Sequence, residues 1–221
     1  YDNNARKSEL STYLKVKHSV GNFIINGDIQ HRYVAYNFGG VDEVSGEMID
    51  LEQNVLHHFF NPKMNLGYFI DDAQVLSVSF GIGHREPVRK DFRESSVDSR
   101  PSAETLRDLE IGYLFSNRKA TFKSTLYYMN YKNQLILTGE INDVGGYTRT
   151  NVDRSYRMGI ELQGSYKPQR NIKINAAVTL SQNKIPSFTE YIDNYDDPNY
   201  QQTQLDYSNT DLAFSPNLVG N

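Results

Sequence analysis

Ser155-Tyr156-Arg157-Met158-Gly159-Ile160-Glu161-Leu162-Gln163-Gly164-Ser165-Tyr166 is the stretch whose reading decides the fold. Its even positions carry Tyr156, Met158, Ile160, Leu162, Gly164 and Tyr166, and its odd positions Ser155, Arg157, Gly159, Glu161, Gln163 and Ser165. Alternation with a period of two marks a strand with one apolar and one polar face. After the short, turn-like link Lys167-Pro168-Gln169-Arg170 the pattern resumes, with Ile172, Ile174, Ala176, Val178 and Leu180 opposing Asn171, Lys173, Asn175, Ala177, Thr179 and Ser181. The two runs predict an antiparallel hairpin. Each arm is about ten residues or longer, against a mode of about five to six in soluble sheets. Tilted strands of about 9–11 residues, apolar on one face and polar on the other, are what crossing an outer membrane requires.

Working outward, the same alternation predicts three more hairpins. Leu10, Thr12, Leu14, Val16 and His18 lead through Val20-Gly21-Asn22 to Phe23, Ile25, Gly27, Ile29, His31, Tyr33 and Ala35. Met64, Leu66, Tyr68 and Ile70 turn at Asp71-Asp72-Ala73-Gln74 into Leu76, Val78, Phe80 and Ile82. Leu109, Ile111, Tyr113 and Phe115 turn at Ser116-Asn117-Arg118-Lys119 toward Phe122, Leu126 and Tyr128. Between hairpins, residues 38–61, 84–104, 132–150 and 182–211 lose the alternation and read as loops of roughly 17–30 residues, far beyond the usual connection. Leu51–Phe60 could hold a short helix or strand, and a small hairpin from Leu135–Thr138 to Tyr147–Thr150 is also readable. Tight turns alternating with long loops are the layout of outer-membrane barrels, with the turns on the periplasmic side. Tyr113, Phe115 and Tyr166 near the turns and Tyr131, Tyr147 and Tyr156 toward the loops predict two aromatic girdles.

Composition narrows the alternatives. The 221 residues have no run of 18 apolar residues, so no transmembrane helix is predicted, and the stretch that opens at Tyr1-Asp2-Asn3-Asn4 does not read as a signal peptide. A net charge of −4 with mixed signs gives no electrostatic case for nucleic acid. The absence of cysteine removes disulfides, thiolate metal sites and cysteine nucleophiles.

Several segments together resemble the barrel of TonB-dependent outer-membrane receptors. They are Ala35–Phe60 running into Asn61-Pro62-Lys63-Met64-Asn65-Leu66-Gly67-Tyr68, then Gly83–Phe92, Pro101–Tyr113, Tyr127–Leu135 with Leu137–Glu140, Asn151-Val152, and Ser155–Glu161. The resemblance implies an all-β fold, an antiparallel meander of long hairpins supplying about eight to ten strands of a 22-stranded transmembrane barrel. Residues 1–221 would then be a partial barrel domain without the plug domain and TonB box, and Asp211–Asn221 would approach a further strand. It implies the outer membrane of a Gram-negative bacterium and energy-coupled uptake of a scarce ligand such as a ferric siderophore. The partners it implies are outer-membrane lipid, that extracellular ligand, and the TonB energising complex acting through the missing N-terminal region. Two other readings stay open: a complete eight-stranded barrel serving as adhesin, anchor or membrane enzyme, closed by pairing residues 8–18 with 171–181, and a soluble β-barrel that binds a small apolar ligand.

No enzyme activity, cofactor or metal is expected. Gly83-His84-Arg85-Glu86 offers a base, a cation and an acid, but the resemblance puts it where a strand leaves the membrane. Its role is expected to be structural or ligand-contacting, with His84, Arg85, Glu86, Arg89 and Arg93 as the candidate contacts. Arg85, Arg89, Lys90, Arg93 and Arg100 would attract an anion, although Glu86, Asp91, Glu94 and Asp98 lie among them. His57 and His58 should point to opposite faces and so not share a metal. Asp193, Asp196 and Asp197 lack the ligand spacing of a calcium loop. Arg157, Glu161, Gln163, Lys173 and Asn175 should face a wet lumen, and Met158, Ile160, Leu162, Ile174, Val178 and Leu180 the lipid.

Overall fold

The computed structural model describes residues 2–44, 47–50, 52–94, 100–141, 147–196 and 201–221; side chains of 2–3, 41–44, 47–50, 93–94 and 147–148 are not part of the description. In chain order come β1 (Asp2–Val20), β2 (Phe23–Val44), β3 (Glu47–Asp50), β4 (Gln53–Phe69), β5 (Gln74–Arg85), α1 (Arg89–Glu94), β6 (Glu104–Ser116), β7 (Ala120–Ile141), β8 (Tyr147–Gln169), β9 (Ile172–Ile192), β10 (Thr203–Asp211) and β11 (Leu218–Gly220). They form one 11-stranded antiparallel sheet in the order β1-β2-β4-β5-β6-β7-β8-β9-β10, with β3 on β2 and β11 on β9.

All four predicted hairpins are present, and side-chain chemistry explains their turns. Gly21 has φ 54°, a left-handed conformation that glycine adopts without a Cβ clash, inside the two-residue turn that joins Val20 to Phe23. Asp71 Oδ1 accepts the Ala73 N–H at 2.8 Å, and Asn117 Oδ1 accepts the Lys119 and Ala120 N–H groups at 2.9 and 2.8 Å. These are side chains imitating a turn's own backbone. In the fourth hairpin β8 runs on to Gln169, and a register shift between Tyr166 and Gln169 absorbs the extra residue.

Register sorts the residues onto two faces. Leu109, Tyr128 and Met158 align across β6, β7 and β8, as do Ile111, Leu126, Ile160 and Leu180 across β6 to β9. Among the described residues nothing covers this apolar face: Leu126 is 51% exposed, Ile174 57% and Leu180 49%. A closed soluble barrel would bury them, so the soluble reading falls. The predicted lipid-facing and lumen-facing sets of the last hairpin lie on opposite sides as expected. The polar face carries Ser79 hydrogen-bonded to Glu110, Asn26 to Asn65, and Glu161 opposite Thr125 and Thr179.

Two expectations need correction. The loops read over 38–61, 132–150 and 182–211 are largely strand: β2 continues to Val44, β4 begins at Gln53 with Asn61-Pro62 inside it, β7 and β8 remain paired up to Ile141 and Tyr147, and β9 pairs with β10 from Lys184 to Ile192. Above a bilayer both faces of a strand meet water, so hydropathy stops alternating while the backbone ladder carries on. The small hairpin read at 135–150 is the top of the β7–β8 hairpin, with Leu135 opposite Asn151. Tyr131 does not join a girdle; its ring lies on the polar face under the Arg157 guanidinium, 5.5 Å away. Tyr128 and Tyr156 hold that level of the apolar face instead, 6.3 Å apart, and Phe23 and Tyr68 pair at 4.8 Å near the turns. The Tyr147 side chain lies outside the described residues.

The closed eight-stranded alternative also falls. Among the described residues β1 pairs only with β2, and β9 is flanked by β8 on one side and by β10 and β11 on the other. No pairing joins residues 8–18 with 171–181, and the sheet stays open. A small apolar core of Val152, Ile185 and Leu212, with Ile136 and Phe188 packed on it, binds the tall hairpins together.

Candidate functional site

The polar face is most elaborately built where β5 ends. The chain there has to leave the sheet, and Glu86, the first residue beyond β5, swings back over the polar side of β1 and β2. Its Oε1 accepts Lys7 Nζ at 2.7 Å and Arg32 Nη2 at 2.6 Å. Arg32 Nε also donates to Glu9 Oε1 at 2.8 Å, so two cations and two carboxylates neutralise one another. The Glu86 side chain is 11% exposed. Burial pushes its carboxyl pKa upward, but the hydrogen bonds from Lys7 and the backbone and the charge of Arg32 outweigh that, holding it below its ordinary value.

The following segment folds inward. Pro87 is fully buried, and Asp91 reaches back to accept the Val88 N–H at 2.8 Å, closing the first turn of α1 as a capping-box acid does. Phe92 then packs on Phe38 and Tyr36, with ring centroids 5.1 and 6.2 Å away. At its far end Ser102 is clasped by Asn151 of β8, which accepts the Ser102 N–H at 2.7 Å and donates to its carbonyl at 3.1 Å. Phe92 is thus held on β2 and Ser102 on β8.

The other candidate residues go separate ways. Arg85 Nη2 donates to Glu104 Oε1 at 2.7 Å, and the same oxygen accepts the Leu135 N–H, so a buried carboxylate holds β5, β6 and β7 together. His84 stacks on the buried ring of Phe59 at 5.2 Å, its Nδ1 2.8 Å from Asn61 Oδ1, and His57 also stacks with Phe59, at 4.9 Å. His58 points to the opposite face, where its Nδ1 lies 3.3 Å from His31 Nε2, so the two adjacent histidines diverge as expected. Arg85, Glu86 and Arg89 line one hollow of about 400 Å3 together with Lys7, Arg32, Tyr36, Pro87 and Val88. His84 lies outside that hollow, and the Arg93 side chain and Asp197 lie outside the described residues.

Sequence reading missed Lys7, Glu9, Arg32, Phe59 and Glu104. Lys7 and Glu9 share a strand face by parity, which was a usable signal. The approach of Arg32 to Glu86 was not, since β4 stands between β2 and β5 in the sheet.

The family described as TonB dependent receptor-like, beta-barrel matches residues 1–221, and the chain belongs to that family. It is an outer-membrane β-barrel protein of Gram-negative type, with the apolar face toward lipid and the polar face toward the lumen. No curated protein matches the chain. Among solved structures it is similar to the siderophore receptor PiuA from Acinetobacter baumannii, with TM-score 0.76 and 12% identity over 99% of this chain and 31% of that one. It is also similar to the copper transporter OprC, with TM-score 0.72 and 14% identity over 84% and 33%. The FrpB iron transporter from Neisseria meningitidis gives TM-score 0.63 and 16% identity over 83% and 27%. The chain therefore spans about a third or less of the length of these structures.

Proposed function

We propose that this chain supplies part of the wall of a receptor that takes up a scarce ligand across the outer membrane by energy-coupled transport, an iron chelate being the leading class. On this reading residues 1–221 are one partial barrel domain, and the plug and the TonB-engaging box belong to other parts of the receptor. The chain makes and breaks no bond. The observation that carries the reading is the inward-folded segment after β5, which sets Arg85 and Arg89 beside Lys7 and Arg32 around one hollow on the lumen side. Arg85 and Arg89 border that hollow, and guanidinium groups suit an anionic ligand with planar oxygen pairs. Family membership supports transport, and two of the similar structures are an iron transporter and a siderophore receptor.

In this assignment Arg85, Arg89 and Arg93 contact the ligand, His84 lends a ring to the rim, and Glu86 positions the segment by its bonds to Lys7 and Arg32. The test is ferric-siderophore binding and uptake by the intact receptor in cells, with Arg85→Ala/Arg89→Ala against wild type. A rise in Kd of about tenfold or more at unchanged surface expression is expected. Unchanged binding across a panel of ferric chelates would remove these residues from the site.

A further inference from the structure

We infer that the outward face carries a docking site for the phosphorylated headgroup of an outer-leaflet glycolipid, formed by Arg107, Lys132 and Arg154. The inference rests on the outer-membrane placement and is independent of the transported ligand.

The three cations lie on three adjacent strands. Lys132 of β7 stands directly opposite Arg154 of β8, and Arg107 of β6, opposite Asn130, is the diagonal neighbour of Lys132. Parity places them on the same face as Leu109, Tyr128 and Met158, turned away from the lumen. All three are exposed, and among the described residues none of them forms a salt bridge. With Asn130 and Asp153 they line a hollow of about 560 Å3. Asp153 is the single acid there, and no salt bridge joins it to the cations.

Height and charge select the occupant. Lys132 lies about ten residues beyond Phe122 on β7, roughly 33 Å of strand and, at a tilt of about 40°, roughly 25 Å of height. That is the thickness of the apolar band, so the cations begin where hydrocarbon ends, just above the Tyr128–Tyr156 aromatic pair. Like charges directly opposite on neighbouring strands repel, an arrangement that costs stability unless something negative lies between them. The neighbouring cation at this level, Lys184, is treated differently: it faces Asp211 at 2.8 Å. A basic cluster at the headgroup level, with no salt-bridge partner among the described residues, is complementary to a phosphorylated lipid. In the outer leaflet of this membrane that lipid is a phosphorylated glycolipid.

The test uses the intact detergent-solubilised receptor, native mass spectrometry and two probes, bis-phosphorylated lipid A and the same lipid A with its phosphates removed. Wild type is expected to retain the phosphorylated form. Arg107→Gln/Lys132→Gln/Arg154→Gln should retain about tenfold less of it, while Lys184→Gln and the charge-preserving Arg154→Lys behave as wild type. Lys132→Gln alone gives a reading that does not require the triple variant to fold: relieving the repulsion should raise the melting temperature in lipid-free detergent, and the gain from added lipid A should shrink. Equal retention by the triple variant, equal retention of the dephosphorylated probe, or displacement of lipid A by millimolar inorganic phosphate would each overturn the assignment.

Discussion

The two faces of the sheet follow opposite rules. On the outward face of β6–β9, apolar side chains meet each other edge to edge, and Leu126 and Ile174 remain half exposed because lipid, not protein, covers them. On the lumen face of the sheet the side chains are wired together, as in Arg85–Glu104–Leu135 or Glu86 with Lys7 and Arg32. Stability on the first face depends on the solvent, whereas on the second it depends on named partners, so substitutions should expose the difference.

The largest effect is expected from a charge placed in the band. Leu126→Arg should cost the intact receptor about 2–4 kcal/mol in vesicle-based urea unfolding, while Gln163→Arg, facing water in the lumen, should stay within about 1 kcal/mol. Equal costs would erase the distinction between faces. Next comes the tether on the lumen side. Glu86→Gln removes the negative charge that Lys7 and Arg32 share and should loosen the segment after β5 by about 1.5–3 kcal/mol, read as faster amide exchange at Asp91 and Phe92. Because the folded Glu86 pKa is depressed, its contribution is complete above the unfolded value of about 4.3 and is lost as pH falls through the lower folded value. Protection of those amides, with the intrinsic exchange rate divided out, should therefore fall on acidification through the lower end of the carboxylate range in wild type and be flat in the variant.

A steric change should fall next. Gly159 lies opposite Tyr127, and a Cβ there would meet Tyr127 Oη at 2.8 Å and crowd the Leu180 carbonyl. Gly159→Ala should cost about 1–3 kcal/mol by chemical denaturation. The smallest effect belongs to the exposed Lys15–Asp28 pair at 3.7 Å, where Lys15→Ala should shift stability by about 0.2–1 kcal/mol and less in high salt.

How far the sequence could be read depends on how far hydropathy reports structure. Where a strand separates lipid from lumen, as at Ser155–Tyr166, each residue is chosen for its face and the alternation is plain. The β7–β8 hairpin shows where this ends: beyond Lys132 both faces meet water, and its paired residues from Gln134 to Ile141 read as loop. Candidate residues next to β5 were legible because they cluster in the chain. Arg32 and Phe59 were not, because β-sheet curvature brings distant strands together without marking the sequence, and Phe59 looks the same whether it meets lipid or His84.

The length of β2 carries a further consequence. Its 22 residues amount to roughly 73 Å of strand and, at the same tilt of about 40°, to nearly 55 Å of height. About 25 Å of that is spent in hydrocarbon, which leaves a parapet of roughly 30 Å standing above the membrane surface, with Arg32 near its foot. A molecule arriving from outside on this side of the barrel has to descend a screened shaft before it meets the charged hollow, so girth and stiffness would be tested before charge is felt.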